Sequence, residues 1–304
     1  MTHPRLLRYA GLSRKTLAAN AEHGFAARYA LCHFGANAVY SFIPKNACST
    51  LRVSLALANG AIGGLEQWTW IHHNNPTFRA SLRDLATARF TFVILRCPHA
   101  RLASVFLNKI VGRQPEYWQL FRALGDGIDP ASFTFRDFVE MVTGDKDDDA
   151  DETGKDAMDD PMDDPMDGGA GLRLNEHWCP QTDFLVYENY DAWYAVERMA
   201  EARADLADRI GLDLVDARPL TRHGTDRFTL LDAAPGGGSF ADMSLAELAG
   251  LQARGQAPAH AALYDDTLAR AVARTYAEDL ALYASRIGPD TLTFPTIEID
   301  PKEI

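Results

Sequence analysis

A tight turn in the first fifth of the chain combines one lysine with small side chains that can donate hydrogen bonds. Residues 44–50 read PKNACST, and they follow an apolar run from Ala38 to Ile43 that is typical of a buried strand. A helical pattern from Leu51 to Ala58 comes directly after the turn. The first backbone N–H groups of a helix have no acceptor inside the helix, and the helix dipole favours negative charge there. The spacing therefore predicts a phosphate or sulfate site, with Lys45 as its mobile cation.

The order of residues in this turn differs from that of a Walker-type loop. That motif needs GxxxxGK[ST], whereas no glycine lies between Gly35 and Gly60. The order Pro-Lys-x-x-[Cys/Ser/Thr]-[Ser/Thr] resembles the 5′-phosphosulfate loop of sulfotransferases, which use 3′-phosphoadenosine 5′-phosphosulfate (PAPS) as donor. The resemblance implies that the 5′-phosphosulfate is held by Lys45, Asn46, Ala47, Cys48, Ser49 and Thr50.

A second segment resembles the 3′-phosphate region of the same family. Phe90 to Leu95 is an apolar run typical of a buried parallel strand, and Arg96 follows it directly. In sulfotransferases an arginine at the strand end and a serine eight residues later grip the ribose 3′-phosphate, and Arg96 and Ser104 have that separation. A guanidinium offers a planar fork of donors that suits phosphate. The resemblance thus assigns Arg96 and Ser104 to the 3′-phosphate.

Two later segments resemble one group within that family. Residues 177–181 read HWCPQ and are similar to the HWxPQ region of the carbohydrate sulfotransferases, a group that contains the HNK-1 and chondroitin 4-O-sulfotransferases. Thr275 to Leu280 resembles the closing Tyr-x-x-Asp helix of that group. The resemblance implies in-line transfer of a sulfuryl group from PAPS to a hydroxyl of a carbohydrate or glycoconjugate, with no metal required.

Catalysis of this kind needs a cation at the leaving oxygen and a base for the acceptor hydroxyl. Lys45 is the candidate cation. His72 and His73 lie between the two phosphate segments, where related sulfotransferases often place a catalytic residue, and only one would face the site if the segment is extended. We favour His72, with His73 close behind and an ordinary surface histidine as the alternative. His177 is a rival base, and His223 in the basic loop 221–227 is a weaker candidate.

The expected fold class is α/β, a P-loop-like three-layer sandwich with a central parallel sheet flanked by helices. Strands followed by helices favour parallel strands, and ligands then bind at their carboxyl ends. Further predicted elements are a strand at Phe184–Tyr187 and helices at Asp137–Val142, 191–210 and Leu263–Ile287. The 304 residues fit a single domain, 1–304, with an N-terminal helical arm over 1–37.

An acidic low-complexity insert covers residues 144–171. Its central part, 145–167, holds twelve acidic residues against two lysines and so accounts for most of the net charge of −12. Such a composition predicts a disordered or loose surface loop, with docking of a partner protein as an alternative role. The remainder is nearly neutral, can hold a local basic pocket, and gives no indication of nucleic-acid binding.

Composition also bears on compartment and on metals. The four cysteines, Cys32, Cys48, Cys97 and Cys179, form no CxxC pair and predict reduced thiols without a zinc site. The longest uncharged run, residues 29–44, is too short to span a bilayer. Animal members of the resembling group are typically anchored in the Golgi membrane, and we expect this chain, without such an anchor, to be soluble and cytoplasmic. The sequence does not specify the oligomeric state.

Two other functions deserve comparison. An ATP-dependent phosphotransferase is disfavoured because the Walker glycines and a strand-terminal aspartate for magnesium are absent. A catalytically silent protein that binds a nucleotide or an anionic sugar is disfavoured because it would not need Lys45, Arg96 and Ser104 together.

Overall fold

The computed structural model describes residues 5–11, 14–125, 127–144, 175–220, 224 and 227–295. Within these ranges the strands are β1 (Ala30–His33), β2 (Ala38–Ser41), β3 (Phe90–Leu95), β4 (Ala192–Ala195), β5 (Thr229–Leu231) and β6 (Gln256–Pro258). The helices are α1 (Ala21–Arg28), α2 (Cys48–Ala58), α3 (Leu82–Thr87), α4 (Pro98–Val105), α5 (Pro115–Leu124), α6 (Phe135–Thr143), α7 (Met199–Ile210), α8 (Leu245–Ala253), α9 (Asp266–Thr275) and α10 (Ala277–Arg286). The acidic insert from residue 145 onward and His223 lie outside the described residues.

The chain divides into two units, each built from three stretches of sequence. The first unit comprises Met1–Cys97, Pro180–Gly224 and Glu278–Pro295, and the second comprises Pro98–Cys179, Thr225–Ala277 and Thr296–Ile304. Each unit has its own cluster of buried apolar side chains. The single domain over 1–304 stays a prediction.

The first unit is organised by a four-stranded sheet in the order β1-β2-β3-β4. β1 is antiparallel to β2, whereas β2, β3 and β4 are mutually parallel. Every residue of β3 is buried, as its apolar sequence predicts for a strand with neighbours on both sides. The rings of Tyr40 and Phe92 stack across the β2–β3 pair with centroids 4.9 Å apart. A mixed α/β fold with a mainly parallel sheet is therefore confirmed.

The second unit is mainly helical. Its apolar core gathers side chains from α4, α5, α6, α8 and α9, with Phe106, Phe135, Phe138 and Trp178 fully or almost fully buried. β5 and β6 form a separate parallel pair. Two of the helices begin with a reciprocal capping box, Thr134 with Asp137 on α6 and Ser244 with Glu247 on α8, which satisfies backbone donors at both helix starts.

Two predicted elements near β4 are wrong. Phe184–Tyr187 is not a strand: a 3-10 helix covers Gln181–Phe184, and Tyr187 makes only an isolated bridge with Leu7. The predicted helix 191–210 begins later, as α7, because residues 192–195 form β4. β4 takes the position beside β3, with Phe92 opposite Ala192 and Leu95 opposite Ala195. Pairing with an already buried strand therefore overrides the helical spacing of the apolar residues here.

The other predicted helices exist with altered bounds. The predicted helix Leu263–Ile287 is divided into α9 and α10 at Tyr276, whose ψ of 32° interrupts the helix. The predicted Asp137–Val142 is contained in α6, and α4 continues into a π-helix over Phe106–Ile110. The N-terminal arm contains α1, as predicted, and also β1, which the sequence analysis missed. Among the described residues, none of the helices has both the length and the apolar character needed to cross a membrane.

Candidate anion-binding site

The turn between β2 and α2 has a backbone that non-glycine residues rarely adopt. Lys45 has φ of 72° and Ala47 has φ of 55°, both in the left-handed region. Each such residue costs on the order of 1–3 kcal/mol, and the cost is tolerated when the surroundings hold the conformation firmly. Lys45 is half-buried, and its carbonyl oxygen accepts a hydrogen bond from Arg96 at 3.0 Å. The turn is therefore a strained segment that a hydrogen bond from Arg96 helps to hold in place.

The N-terminus of α2 presents backbone donors in a favourable field. Ala47 occupies the N-cap position and has no side-chain oxygen to accept from the first turn. The first turn contains no acidic residue, and the intrahelical ladder begins with the Leu51 N–H donating to the Ala47 carbonyl at 3.2 Å. Residues 48–50 are half-buried and add a thiol and two hydroxyls. Backbone donors, side-chain donors and the helix dipole all suit an anion at this end.

The side chain of Asn46 anchors the turn. Its side chain is fully buried, and its Nδ2 donates to the Ile94 carbonyl at 2.9 Å and to Gln181 Oε1 at 2.6 Å. Within the described part of the chain its Oδ1 is buried without a hydrogen-bond partner. The sequence predicted Asn46 as a phosphosulfate-binding residue, and the structure shows how it shapes the loop.

Arg96 joins the second predicted segment to the first. It directly follows β3, is half-buried, and donates from Nη1 to the Lys45 carbonyl at 3.0 Å. Because β2 and β3 are parallel neighbours, the segments that follow them meet at the same edge of the sheet. The structure thus places the Arg96 guanidinium against the backbone of Lys45, the other cation that the sequence predicted.

Ser104 belongs to the second unit. It lies on α4, where it is buried with 6% exposure, and every residue of that helix is buried. Arg96 belongs to the first unit. The joint role of Arg96 and Ser104 at a 3′-phosphate stays a prediction from their spacing in the sequence.

His72 and His73 lie at the end of a 3-10 helix, Leu65–His72, so this segment is not extended. Both histidines are exposed, and the His72 ring packs edge-on against Trp68 with centroids 5.2 Å apart. Arg52 on α2 holds the segment on both sides, donating to the Ile71 carbonyl and, at 2.8 Å, to Asn75 Oδ1. The two histidines are therefore tied to the helix whose N-terminus forms the anion site.

His177 lies in the second unit within a cluster of charged side chains. Its Nε2 lies 3.2 Å from Glu116 Oε1, which also accepts from Lys109 Nζ at 2.6 Å. Its Nδ1 lies 3.1 Å from Asn175 Oδ1, and that atom is the amide oxygen because the His177 backbone N–H donates to it at 2.9 Å. Both ring nitrogens of His177 therefore face acceptor atoms.

The four cysteines are free thiols, as predicted, and Cys97 Sγ lies 3.1 Å from Thr293 Oγ1. Burial lowers the pKa of His99, which follows Pro98 at the start of α4, and its Nε2 lies 2.9 Å from the Ala269 carbonyl oxygen. In the described ranges no group of three or more His, Cys, Asp or Glu side chains could hold a metal ion.

Gln181 is the site residue that the sequence analysis left without a role. It is buried with 1% exposure and hydrogen-bonds both Asn46 and the backbone of Arg96. The HWCPQ segment contained the signal, but its resemblance carried no indication that the glutamine contacts the anion-binding loop.

Comparison with known proteins fits this arrangement. The model of a family described as the sulfotransferase family matches residues 35–284. This range contains the turn after β2 and also Arg96, His72, His73 and Gln181. No curated protein and no solved structure matches the chain. Because the match covers most of the sequence and includes every residue predicted for the site, the chain belongs to the sulfotransferase family.

Proposed function

We propose that this sulfotransferase takes its sulfuryl group from PAPS and transfers it to a hydroxyl of a carbohydrate or glycoconjugate. The observation that supports PAPS as the donor is the contact between Arg96 and the turn that precedes α2, where Arg96 Nη1 donates to the Lys45 carbonyl at 3.0 Å. The carbohydrate acceptor rests on the resemblance of residues 177–181 and 275–280 to the carbohydrate sulfotransferases. We also propose a P-loop-like three-layer arrangement, which the order β2, turn, α2, β3 supports.

The residues present fit such a donor. A phosphosulfate and a 3′-phosphate need many donors and positive charge, and the turn offers the backbone N–H groups of α2, hydroxyls at Ser49 and Thr50, and the side chains of Lys45 and Arg96. The first turn of α2 contains no carboxylate that would repel the ligand. Arg96 and Ser104 are proposed for the 3′-phosphate on their spacing alone.

Sulfuryl transfer joins the acceptor oxygen to sulfur and breaks the bond between sulfur and the bridging oxygen of the 5′-phosphate. Negative charge then accumulates on the bridging oxygen, where we place the ammonium group of Lys45. As in phosphoryl transfer, the protein contributes mainly positioning and charge stabilisation. The strained, externally fixed turn supports such a positioning role, since it holds Lys45 in one backbone conformation.

The proton of the acceptor hydroxyl needs a base, and we propose His72, with His73 as its alternative. The attachment of this segment to α2 by Arg52 supports the choice. His177 is the rival candidate, and both of its ring nitrogens are engaged, by Glu116 Oε1 and by Asn175 Oδ1. We therefore propose that His177 contributes charge or acceptor binding.

Calorimetric titration with 3′-phosphoadenosine 5′-phosphate (PAP), beside ATP with magnesium, tests the donor. We expect PAP to bind in preference to ATP, and affinity to fall at least about tenfold in Lys45→Ala and Arg96→Ala. Arg89→Ala is the matched control, because Arg89 is an exposed cation just before the opposite end of β3. An acceptor screen with radiolabelled PAPS then follows. Failure to bind PAP, or a preference for ATP, would overturn the proposal.

A further inference from the structure

The side chain of Gln181 connects the two segments of the anion-binding site within the first unit. Its Oε1 accepts from Asn46 Nδ2 at 2.6 Å and from the Arg96 backbone N–H at 3.0 Å. Its Nε2 donates to the Arg96 carbonyl at 2.9 Å. One buried amide therefore holds the turn after β2 and the residue after β3 at a fixed separation.

The Gln181 amide supplies both the acceptor and the donor that this set of bonds needs. The Arg96 N–H must donate and the Arg96 carbonyl must accept, which fixes the orientation of the Gln181 amide without ambiguity. An ionised glutamate at this position would place a second oxygen against the carbonyl, and a methionine of similar size would lose all three bonds. The identity of residue 181, and not only its size, is therefore specified by its surroundings.

Asp279 holds the backbone of Gln181 in turn. It lies in the first turn of α10, is buried with 2% exposure, and accepts from the Gln181 N–H at 2.7 Å and the Thr182 N–H at 3.0 Å through its two carboxylate oxygens. These N–H groups open the 3-10 helix Gln181–Phe184, whose N-cap, Pro180, provides no side-chain cap. Asp279 thus caps this short helix from a distant part of the sequence.

This hydrogen-bond network holds the strained turn after β2 in its conformation. Asn46 stands between Lys45 and Ala47, the two residues with left-handed backbone, and its side chain is tethered to Gln181 and to the Ile94 carbonyl. Backbone strain persists only where the surrounding structure over-determines it. The tether on Asn46 supplies that constraint, and the bonds of Gln181 to Arg96 add the second cation to the same assembly.

We propose that Gln181 and Asp279 are positioning residues of the donor site: Asp279 fixes the backbone of Gln181, and the Gln181 amide sets the geometry of the Lys45 turn relative to Arg96. The ligand named here rests on the proposed function, whereas the positioning itself can be measured without any ligand. Neither residue needs to touch the donor, and both act through Asn46 and Arg96.

Hydrogen exchange of the free protein is the first arm of the test. We compare Gln181→Met and Asp279→Asn with Glu278→Gln, in which an exposed carboxylate next to Asp279 is altered. Gln181→Met is expected to speed exchange of the Arg96 N–H and of residues 44–50 at least about tenfold, since the buried hydrogen bonds of the amide are lost. Asp279→Asn is expected to do the same at the N–H groups of residues 181 and 182 as well.

Control sites separate positioning from general loosening. Exchange in β1 and in the second unit is expected to stay at the wild-type rate, as is all exchange in Glu278→Gln. Unchanged protection at Arg96 and at residues 44–50 in both variants, or equal loosening throughout the first unit, would overturn the proposal. If Asp279→Asn does not fold, Gln181→Met alone decides.

Titration with PAP is the second arm. We expect Gln181→Met and Asp279→Asn to bind PAP at least about tenfold more weakly than wild type and Glu278→Gln. Local loosening with unchanged PAP affinity would show that the network is structural only and would overturn a role at the donor site. Wild-type protein that fails to bind PAP would instead reject the proposed function, while the exchange arm still decides whether the two residues position the turn.

Discussion

Lys45 combines the cation proposed for the donor site with an unfavourable backbone conformation, so one substitution is expected to affect PAP affinity and stability differently. Lys45→Gly removes the cation and the left-handed strain at φ of 72° together. Relief of the strain, on the order of 1–2 kcal/mol, exceeds the entropic cost of glycine in the unfolded chain, about 0.4–1 kcal/mol. We expect the free energy of unfolding to stay level or rise by up to about 1 kcal/mol, while PAP affinity falls at least about tenfold. Denaturant unfolding and calorimetry measure the two effects.

Arg113→Gly is the matched control for this prediction. Arg113 is also a cation in the left-handed region, with φ of 48°, but it is exposed and lies in the second unit. The same gain in stability is expected there without any loss of PAP affinity. A Lys45→Gly protein that is both less stable and still binds PAP as wild type does would contradict the assignment of strain and function to this turn.

His99 makes stability depend on pH. Burial holds its pKa below the ordinary value, and its environment contains the Ala269 carbonyl and the ring of Tyr264. Above an unfolded pKa of about 6.5 the imidazole is neutral in both states, whereas below it the unfolded chain takes up a proton that the folded protein resists. Stability is therefore complete above about pH 6.5 and falls as the pH drops toward the lowered folded pKa.

Urea unfolding at several pH values between about 5 and 7.5 measures this effect. Each histidine kept neutral in the folded state adds a slope of at most about 1.4 kcal/mol per pH unit. Burial also lowers the pKa of His23 and His33, so His99→Gln is expected to reduce the slope without abolishing it. Hydrogen bonds to Arg218 lower the pKa of the Asp216 carboxyl to about 2. Carboxylates of this kind lose their contribution to stability only at more acidic pH. An identical slope in His99→Gln would exclude His99 as a contributor.

At the scale of elements, Arg52 couples α2 to the 3-10 helix that ends in His72. Its guanidinium donates to the Ile71 carbonyl and to Asn75 Oδ1, and it also lies over the Phe42 ring at 5.3 Å. A lysine cannot reproduce this forked geometry. We expect Arg52→Lys to speed hydrogen exchange in residues 70–76 and to lower the turnover rate more than the PAP affinity, since the proposed base is displaced but the donor site is kept.

Arg79→Gln is the control for Arg52→Lys, because Arg79 is an exposed arginine directly after the neighbouring 3-10 helix, Asn75–Phe78. Its turnover and exchange are expected to match wild type. Equal loss of turnover in both variants would show that the segment does not depend on the Arg52 contacts.

The elements also show what the sequence can predict and where it fails. β3 was predicted with its observed bounds, Phe90–Leu95, because a strand buried on both faces needs an uninterrupted apolar run. β4 was mistaken for helix because Trp193, Val196 and Met199 fit a helical spacing, whereas residues 192–195 pair with β3. Local pattern specifies the first kind of strand, whereas the second kind depends on a partner about a hundred residues away in the sequence.

The residues of the candidate site also fall into two groups: those that a local pattern predicts and those whose roles depend on distant segments. Lys45 was predicted because a cation in a turn between a buried strand and a helix suits an anion, and Arg96 because its segment resembles the 3′-phosphate region of sulfotransferases. Asn46 was assigned to the ligand and anchors the turn, while Gln181 and Asp279 were noticed only as parts of resembling segments. Their roles come from hydrogen bonds between segments separated by up to about 135 residues, as for Asn46 with Gln181, and no local pattern encodes such bonds.

At the scale of the whole molecule, charge is distributed very unevenly along the chain. Residues 145–167 contain twelve acidic residues and two lysines, and the remaining sequence is nearly neutral despite a total of −12. PAP carries several negative charges, so the summed field of the protein opposes its approach at low ionic strength. The acidic tract is therefore expected to reduce donor affinity through long-range repulsion, independently of any contact.

Two variants test this repulsion: deletion of residues 145–168, and a full-length chain in which every Asp and Glu of that stretch becomes Asn or Gln. At an ionic strength of about 0.01 M, where the screening length is about 30 Å, both are expected to bind PAP severalfold more tightly than wild type. Near 0.15 M the screening length is about 8 Å, and the advantage should largely disappear. Agreement between the two variants attributes the effect to charge, because only the deletion changes chain length. An advantage that persists at high salt, or one confined to the deletion, would mean that the tract acts by occupying space or by contact, and the long-range account would be wrong.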